Sequence, residues 1–284
     1  MCATGLFFIC LDAIAKHMTL HYSIVQVTWA RFALPAAVLP ILLGRRLGAT
    51  LKTLRPGLQI LRALLLIVTT GCLFFALRHV PLADVNAIGF INPLIVTALS
   101  MLLLREHVTG RQWAGVDIGF VGALIIIRPG TGVMHPAALL IFASASVRGF
   151  YHVATRYLSR SDAPMTTLLY TVLVAGAATS LVVPFFWTQP DLTGWLMIAA
   201  MGVFNGLGTY TVIRAFTAAP AATVSPFNYL NLIWATLFGF LIFGDLPDLW
   251  TVLGALVIAG SGLYVLRLEM RHIQPSVAVQ PRVT

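Results

Sequence analysis

Long apolar runs separated by short polar breaks dominate this chain. Ten such runs are present, at residues 2–20, 24–43, 57–77, 82–104, 111–128, 135–156, 164–187, 191–214, 219–243 and 248–267. Most are long enough to cross about 30 Å of hydrocarbon as a helix. Lipid offers the backbone no hydrogen-bond partner, so a spanning segment is either a helix or a strand of a closed barrel. The runs lack strand-like alternation and therefore predict an all-α integral membrane protein with ten transmembrane helices.

The second half of the chain repeats the first. Pro81 begins the stretch Pro-Leu-Ala-Asp-Val-Asn, and Pro220 begins Pro-Ala-Ala-Thr-Val-Ser. The same offset of 139 positions also pairs Asn92 with Asn231. Two similar halves in a membrane chain are typical of secondary transporters, whose substrate path lies between the repeats.

Five spans per half is an odd number, so the second half must enter the membrane from the opposite side. The prediction is two five-helix repeats of inverted topology, residues 1–130 and 131–270, followed by a disordered cytoplasmic tail at 271–284. The spans expected to form the cavity wall are one, three, four, six, eight and nine. Spans five and ten are expected at the periphery, where their glycines (Gly115, Gly119, Gly122, Gly254, Gly260 and Gly262) form packing faces.

Composition agrees with a membrane protein. The chain is 59% hydrophobic and only 10% charged, far less charged than a soluble domain of this size. A net charge of +9 would suggest nucleic acid in a soluble protein. Here the Lys and Arg residues gather in the loops of one side, which predicts cytoplasmic N- and C-termini and no nucleic-acid partner. Three cysteines without a CxxC motif indicate no disulfide scaffold, metal site or cofactor.

Several short motifs resemble a known family. They include Ala30-Arg31-Phe32, the run from Ala76 to Asp84, Asn92-Pro93, Leu104-Arg105-Glu106 and Arg128-Pro129-Gly130. Together with the two five-span halves, they resemble the EamA-type members of the drug/metabolite transporter superfamily. The resemblance covers nearly the whole chain and implies transport of small metabolites across a bacterial inner membrane. Within that family the chain looks most similar to exporters of amino acids, including aromatic ones.

Charged residues inside apolar runs are candidate site residues because they are costly in lipid. Asp12 and Lys16 share a helix face, either as a pair that recognises a zwitterion or as a neutralised structural pair. Span six also carries basic residues, Arg148 and His152, which either form a lining that attracts carboxylates or are interfacial residues. His79, at a repeat junction, is either a proton carrier or an interface residue.

Uncharged polar and aromatic residues concentrate in spans four and nine. Pro93 and Pro226 interrupt these spans and free backbone carbonyls, which favours a cavity lining over simple hydrogen bonds between helices. Aromatic walls suit amino-acid side chains or organic cations. The predicted lining residues are Asn86, Phe90, Asn92, Tyr210, Ser225, Asn228, Tyr229, Asn231 and Trp234.

These features predict a secondary transporter of the inner membrane that exports small metabolites by alternating access. Amino acids of several kinds are the expected substrates, and a monomer in the lipid bilayer would suffice. The alternative is uptake of a vitamin or cofactor-like metabolite, or efflux of organic cations, by the same fold. Motifs of hydrolytic enzymes such as HExxH and GxSxG are absent from the sequence, so no enzyme activity is expected.

Overall fold

The computed structural model describes residues 2–92, 94–96, 98–99, 109–128, 136–159, 161–218 and 230–273. Within these ranges the chain forms helices and turns and contains no strand. The principal helices are α1 (Cys2–Met18), α2 (Ile24–Leu43), α3 (Pro56–Leu77), α4 (Leu82–Gly89), α5 (Gly110–Ile127), α6 (Pro136–Leu158), α7 (Pro164–Val182), α8 (Leu192–Ala218), α9 (Asn231–Phe243) and α10 (Leu249–Ile273). Two 3₁₀ turns, Gly44–Arg46 and Val183–Phe186, and one short helix, Leu47–Thr50, extend α2 and α7.

Local sequence signals explain where the helices begin and end. Ser23 caps α2 by accepting a hydrogen bond from the Gln26 N–H at 3.2 Å. Thr109 and Gln112 form a reciprocal capping box at the start of α5. Gly244 ends α9 in the left-handed conformation with φ 72°, which a residue without a Cβ adopts at low cost. Capping residues in the local sequence therefore determine where these helices begin and end.

Helix α4 is interrupted at Phe90 and Ile91. The Phe90 and Ile91 N–H groups bond to the carbonyls three residues earlier, at 3.2 and 3.1 Å, and helical backbone resumes at Asn92. The proline at position 93 lacks the N–H that a continuous helix would need, which explains the tighter turn before it. Pro93 itself, like Pro226, lies outside the described residues.

The most extensive helix contacts join the first half of the chain to the second. Helix α5 packs on α10, α3 on α6, α1 on α8, and α2 on α7. The contacts between α1 and α9 have a counterpart between α4 and α6, and those between α2 and α8 have one between α3 and α7. The main contacts are therefore the same when each helix of one half is replaced by its equivalent in the other half, α1 by α6 and so on. The two halves pack against each other through these matching contacts.

Equivalent helices of the two halves run in opposite directions where hydrogen bonds fix their ends. The Ser23 hydroxyl, at the start of α2, donates to the Phe186 carbonyl just beyond α7, at 2.9 Å. At the other end, the Tyr170 hydroxyl near the start of α7 donates to the Leu51 carbonyl, at 3.1 Å. We call the end of the molecule that holds Phe186 and Asp245 the Asp245 face, and the end that holds Leu51 and Asp162 the Asp162 face.

Glycines allow α5 and α10 to touch backbone to backbone. A Cβ at Gly254 would lie 2.6 Å from the Gly122 carbonyl oxygen, and one at Gly122 would lie 3.0 Å from the Gly254 carbonyl oxygen. A Cβ at Gly115 would meet the Val265 side chain of α10 at 2.5 Å. Gly260 differs from this pattern, because no atom lies within 4 Å of its Cβ position. The small-residue packing face of α10 therefore includes Gly254 but not Gly260.

Apolar side chains cover the outside of the helices as well as the core. Ile41, Leu181 and Phe185 are at least three-quarters exposed, at 78%, 75% and 84%. Six described helical segments are long and apolar enough to cross a membrane: Ile24–Thr50, Pro56–Leu77, Gly110–Ile127, Pro164–Phe186, Leu192–Val212 and Leu249–Leu268. This is a multi-pass membrane protein. Helix α10 continues to Ile273, two residues past the predicted start of the tail at Arg271, and the residues beyond lie outside the described part.

The glycine contact between α5 and α10 yields a test of stability. Gly254→Ala places a methyl group against the Gly122 carbonyl, and we expect it to destabilise the protein by about 1–3 kcal/mol through overpacking. Gly260→Ala is the matched control, since its methyl group enters open space on the same helix. Thermal unfolding of both variants in detergent measures the effect. Equal melting temperatures for the two variants would contradict the contact.

Candidate functional site

A group of charged side chains lies in the interior where the two halves meet. Asp12 of α1, Arg31 of α2 and Arg62 of α3 come from the first half, and Arg148 and Tyr151 of α6 come from the second. We call these five residues the arginine cluster. Asp12 interacts electrostatically with Arg31 and Arg148, and the Tyr151 ring lies 4.9 Å from the guanidinium carbon of Arg62. The cluster therefore couples helices of both halves through charge.

The cluster lies well inside the helix bundle. Arg31 is seven residues after the start of α2, about 10 Å along the axis, and Arg62 is six residues after the start of α3, about 9 Å. These two helices begin at opposite faces, so the arginines approach the middle of the membrane from both sides. Asp12 is 9% exposed and Arg62 only 2% exposed. The charges are thus removed from bulk water.

Neutral oxygen atoms hold Arg62 in place. Its Nη1 donates to the Thr155 hydroxyl of α6 at 3.2 Å, and its Nη2 donates to the Thr167 carbonyl of α7 at 2.6 Å and to the Thr171 hydroxyl. The guanidinium carbon also lies 4.9 Å from the centre of the Tyr151 ring, a cation–π contact. The α3 arginine is therefore fixed against the second half without an acidic partner among these contacts.

Lys16 pairs with a distant residue and not with Asp12. Its Nζ lies 2.6 Å from Asp245 Oδ2, after the end of α9, and 4.5 Å from the centre of the Phe243 ring. The expected ion pair between Asp12 and Lys16 is therefore wrong. The ammonium group reaches past the end of α1 to the Asp245 face, whereas Asp12, one turn earlier, faces the arginines of α2 and α6.

Polar links join the two halves at the Asp245 face. Besides the Lys16–Asp245 pair, Arg128 at the end of α5 forms an ion pair with Asp248 at the start of α10. Asp248 Oδ1 also caps α10 by accepting from the Thr251 N–H at 2.8 Å. The Tyr22 hydroxyl donates to Asp191 at 3.2 Å. These contacts tie the ends of α1 and α5 to the second half.

A separate network links the halves at the Asp162 face. Asp162 Oδ2 accepts from the Gln59 amide of α3 at 2.7 Å and from the Thr53 hydroxyl at 2.5 Å. Burial by itself raises the pKa of this carboxyl, but the hydrogen bonds from Thr53, Gln59 and Ser161 and the charge of Arg55 outweigh it. The net effect is a pKa below the ordinary value of 3.8, so the carboxylate is stabilised in the folded protein.

The polar residues of spans four and nine occupy different environments. The Asn86 amide donates to the Leu82 carbonyl of its own helix at 3.0 Å. Asn92 Oδ1 is buried and has no hydrogen-bond partner among the described atoms. Asn231 Oδ1 packs on Gly5 of α1, 2.0 Å from the position that a Cβ there would take. Asn92 and Asn231, which the internal repeat relates, are both half-buried within the bundle.

The remaining predicted residues lie apart from the arginine cluster or at its edge. His79 is exposed at the end of α3, and its Nδ1 lies 3.0 Å from the Phe75 carbonyl oxygen. Tyr210 is 60% exposed on α8, and the exposed His152 ring meets the Tyr151 ring edge-on at 5.1 Å. Phe90 and Trp234 pack against the hydrophobic core. Ser225, Asn228 and Tyr229 lie outside the described residues.

Arg31, Arg62 and Tyr151 were missing from the predicted site residues. The signal for Arg62 was a lone arginine inside the otherwise apolar third run. Because Arg62 is near the start of its apolar run, it resembles an interfacial arginine whose side chain extends toward water. Only the packing of α3 against α6 and α7 shows that the side chain is turned inward.

The chain belongs to the EamA-like transporter family. The model of that family matches residues 1–128 and again residues 135–267, so each half carries one match. This agrees with the resemblance seen in the short motifs and in the two five-span halves, and it establishes a membrane transporter of that family.

Named relatives carry different cargoes. A riboflavin transporter of Vibrio cholerae is 30% identical over 95% of this chain and 93% of the relative. An S-adenosylmethionine uptake transporter of Rickettsia prowazekii is 23% identical over 92% and 89%. A pseudopaline exporter of Pseudomonas aeruginosa is 25% identical over 88% and 89%. A solved structure described as "Crystal structure of protein" shares the fold, with a TM-score of 0.64, 22% identity and coverage of 95% and 97%.

A double-mutant cycle tests the link between Lys16 and Asp245. We expect Lys16→Met and Asp245→Asn to be coupled by about 0.5–3 kcal/mol in the free energy of unfolding, because each removes the partner of the other. Reversible unfolding in detergent mixtures measures the four free energies. Arg111→Gln, at the opposite end of the bundle, should be additive with Asp245→Asn. Additivity of the Lys16 and Asp245 changes would contradict the pair.

The depressed pKa of Asp162 predicts a pH dependence. Its stabilising effect is complete above the ordinary carboxyl pKa of 3.8 and is lost as the pH falls through the lower folded-state pKa. Asp162→Asn should therefore lower the melting temperature at pH 7, and the difference from wild type should shrink below about pH 4. Asp117→Asn, which changes an exposed carboxylate on α5, is the control. A difference that stays constant down to pH 3 would contradict this assignment.

Proposed function

We propose that this protein is a secondary transporter that moves a vitamin- or cofactor-like organic metabolite across the cytoplasmic membrane of a bacterium. The proposal includes ten spans in two inverted repeats and an alternating-access cycle. It is supported by one family match in each half and by the opposite directions of α2 and α7. Halves of opposite orientation can exchange conformations, which opens a central site to one side and then to the other.

The observation that carries the proposal is the arginine cluster between the halves. Guanidinium groups are donors and suit substrates with carbonyl, carboxylate or phosphate oxygens. Three arginines against one aspartate also disfavour a cationic cargo. Among the relatives, this favours a substrate such as riboflavin, which has a flat ring with two carbonyl groups, over the sulfonium cation S-adenosylmethionine. For the same reason it does not favour efflux of organic cations.

Amino-acid export receives less support than this alternative. None of the three relatives described above is named for amino-acid transport. A zwitterion would need an acid for its ammonium group, and the one acid in the cluster already interacts with Arg31 and Arg148. Lys16, expected to bind the carboxylate of the zwitterion, is paired with Asp245. The vitamin or cofactor class is therefore the substrate that we propose.

The distribution of basic residues supports an orientation in the membrane. Arg45, Arg46, Lys52 and Arg55 surround the start of α3 near the Asp162 face, and the Asp245 face is rich in acids. Under the positive-inside rule, the Asp162 face is cytoplasmic and both termini lie inside. One chain supplies both halves of the path, so a monomer is sufficient.

Counterflow in proteoliposomes tests the proposed substrate class. Vesicles with purified protein, loaded with unlabelled riboflavin at equal pH on both sides, should accumulate external labelled riboflavin, because exchange needs no ion gradient. S-adenosylmethionine and phenylalanine should compete poorly. Arg31→Gln should lower the exchange rate by about tenfold or more, as expected for loss of a charged hydrogen-bond donor. Arg45→Gln, which removes an exposed arginine at the end of α2, should not.

Protein-free vesicles give the background. Exchange of phenylalanine but not riboflavin by folded protein would refute the cofactor class and restore the amino-acid interpretation.

A further inference from the structure

The arginine cluster contains more positive than negative charge. Arg31, Arg62 and Arg148 each carry one positive charge, and Asp12 supplies one negative charge. Among the described residues, no carboxylate oxygen lies within 4.0 Å of these three guanidinium groups. The cluster therefore has an excess of positive charge inside the bundle.

The other acids of the described part of the chain lie away from the arginine cluster. The chain has nine Asp and Glu residues. Four lie at the Asp245 face: Asp84, Asp191, Asp245 and Asp248. Asp162 lies at the Asp162 face, and Asp117 lies on the exposed side of α5. The side chains of Glu106 and Glu269 lie outside the described part. The sequence thus offers few acids to balance three arginines.

A buried excess charge is costly unless a counter-charge accompanies it. Removing an ion from water costs several kcal/mol even after relaxation, and charged residues inside membranes are ordinarily paired. Arg62 is 2% exposed and is held by threonine hydroxyls and a carbonyl, which orient it without neutralising it. An anion bound beside it would supply the missing charge.

The geometry leaves donors ready for such an anion. Both Arg62 Nε and Arg31 Nε are buried and have no hydrogen-bond partner among the described atoms. The Tyr151 ring stacks on Arg62, and Arg148 lies three residues before Tyr151 on the same face of α6. Because Thr155, Thr167 and Thr171 already fix the Arg62 fork, binding would require little further ordering of that side chain.

We propose that Arg62, Arg148 and Tyr151 form a subsite for an oxyanion, a carboxylate or phosphate group, at the meeting point of the two halves. As a statement about cargo, this rests on the proposed function: the transported metabolite, or an obligatory companion ion, carries a negative charge. The two sources share one chemistry. Either the oxyanion belongs to the organic substrate, or it is a free inorganic anion bound beside a neutral substrate.

Equilibrium binding tests the subsite without requiring transport. Thermal unfolding of the purified protein in detergent is followed against inorganic phosphate and against succinate, at constant ionic strength. We expect saturable stabilisation of the wild-type protein. Arg62→Gln should weaken half-saturation by about tenfold or more, as expected for the loss of a charged hydrogen-bond donor, and Arg62→Lys should weaken it less. Arg45→Gln removes an exposed arginine and should leave the titration unchanged.

Arg148→Gln provides a second variant if Arg62→Gln does not fold, and the same weakening is expected. Absence of saturable stabilisation by phosphate and by succinate in the wild-type protein overturns the proposal. Equal weakening by Arg45→Gln also overturns it, because the effect would then reflect general charge and not the buried site.

Riboflavin 5′-phosphate and riboflavin distinguish the two sources of the anion. Flavin fluorescence titrations measure the binding of each compound to the wild-type protein and to Arg62→Gln. Competition between the phosphorylated flavin and inorganic phosphate, with a loss of affinity specific to the phosphorylated compound in Arg62→Gln, places the oxyanion on the organic substrate. Binding of neutral riboflavin that is strengthened by inorganic phosphate identifies a companion ion.

Failure of the two proposals is distinguishable. Anion binding without flavin exchange in proteoliposomes would refute the proposed substrate and retain the subsite. Flavin exchange without anion binding would refute the subsite and retain the proposed substrate.

Discussion

Hydrocarbon supplies no hydrogen-bond partner, and this constraint governs the whole structure. Each backbone group inside the membrane must be satisfied within its own helix, so the chain forms long, mainly apolar helices. Apolar side chains then cover both the core and the outside, as the exposed Ile41 and Phe185 illustrate. Because lipid provides little hydrophobic drive between helices, close packing must hold them together, and the Gly122–Gly254 contact provides it.

Helix packing between the halves places the functional groups. Helices α1, α2 and α3 each lie against helices of the second half, so the charged residues that they carry meet Arg148 and Tyr151 of α6 in the interior. In the alternating-access cycle that we propose, a cluster built from both halves changes when the halves move. That is the arrangement that an alternating-access carrier requires, since a substrate bound there contacts both moving parts.

The two ends of the molecule are held by different chemistry. At the Asp245 face, ion pairs such as Lys16–Asp245 join α1 to the second half. At the Asp162 face, the links are hydrogen bonds from Thr53 and Gln59 to one carboxylate. In a transport cycle, contacts at one face must break when the cavity opens to that side. The ion pair and the hydrogen-bonded carboxylate are therefore the contacts that we expect to change between conformations.

Local pattern determined much of the architecture. Hydrophobic run length gave the bounds of α2 and placed the ends of α3 and α5 within one residue, and isolated charges in apolar runs drew attention to Asp12 and Arg148. These features depend on neighbours along one helix. The contacts between helices could not be predicted in this way. The partner of Lys16 lies 229 positions away in the sequence, and only the neighbouring helices α6 and α7 show that Arg62 is an interior residue and not an interfacial one. Such pairings depend on how separate helices pack and rotate, which only the tertiary structure decides.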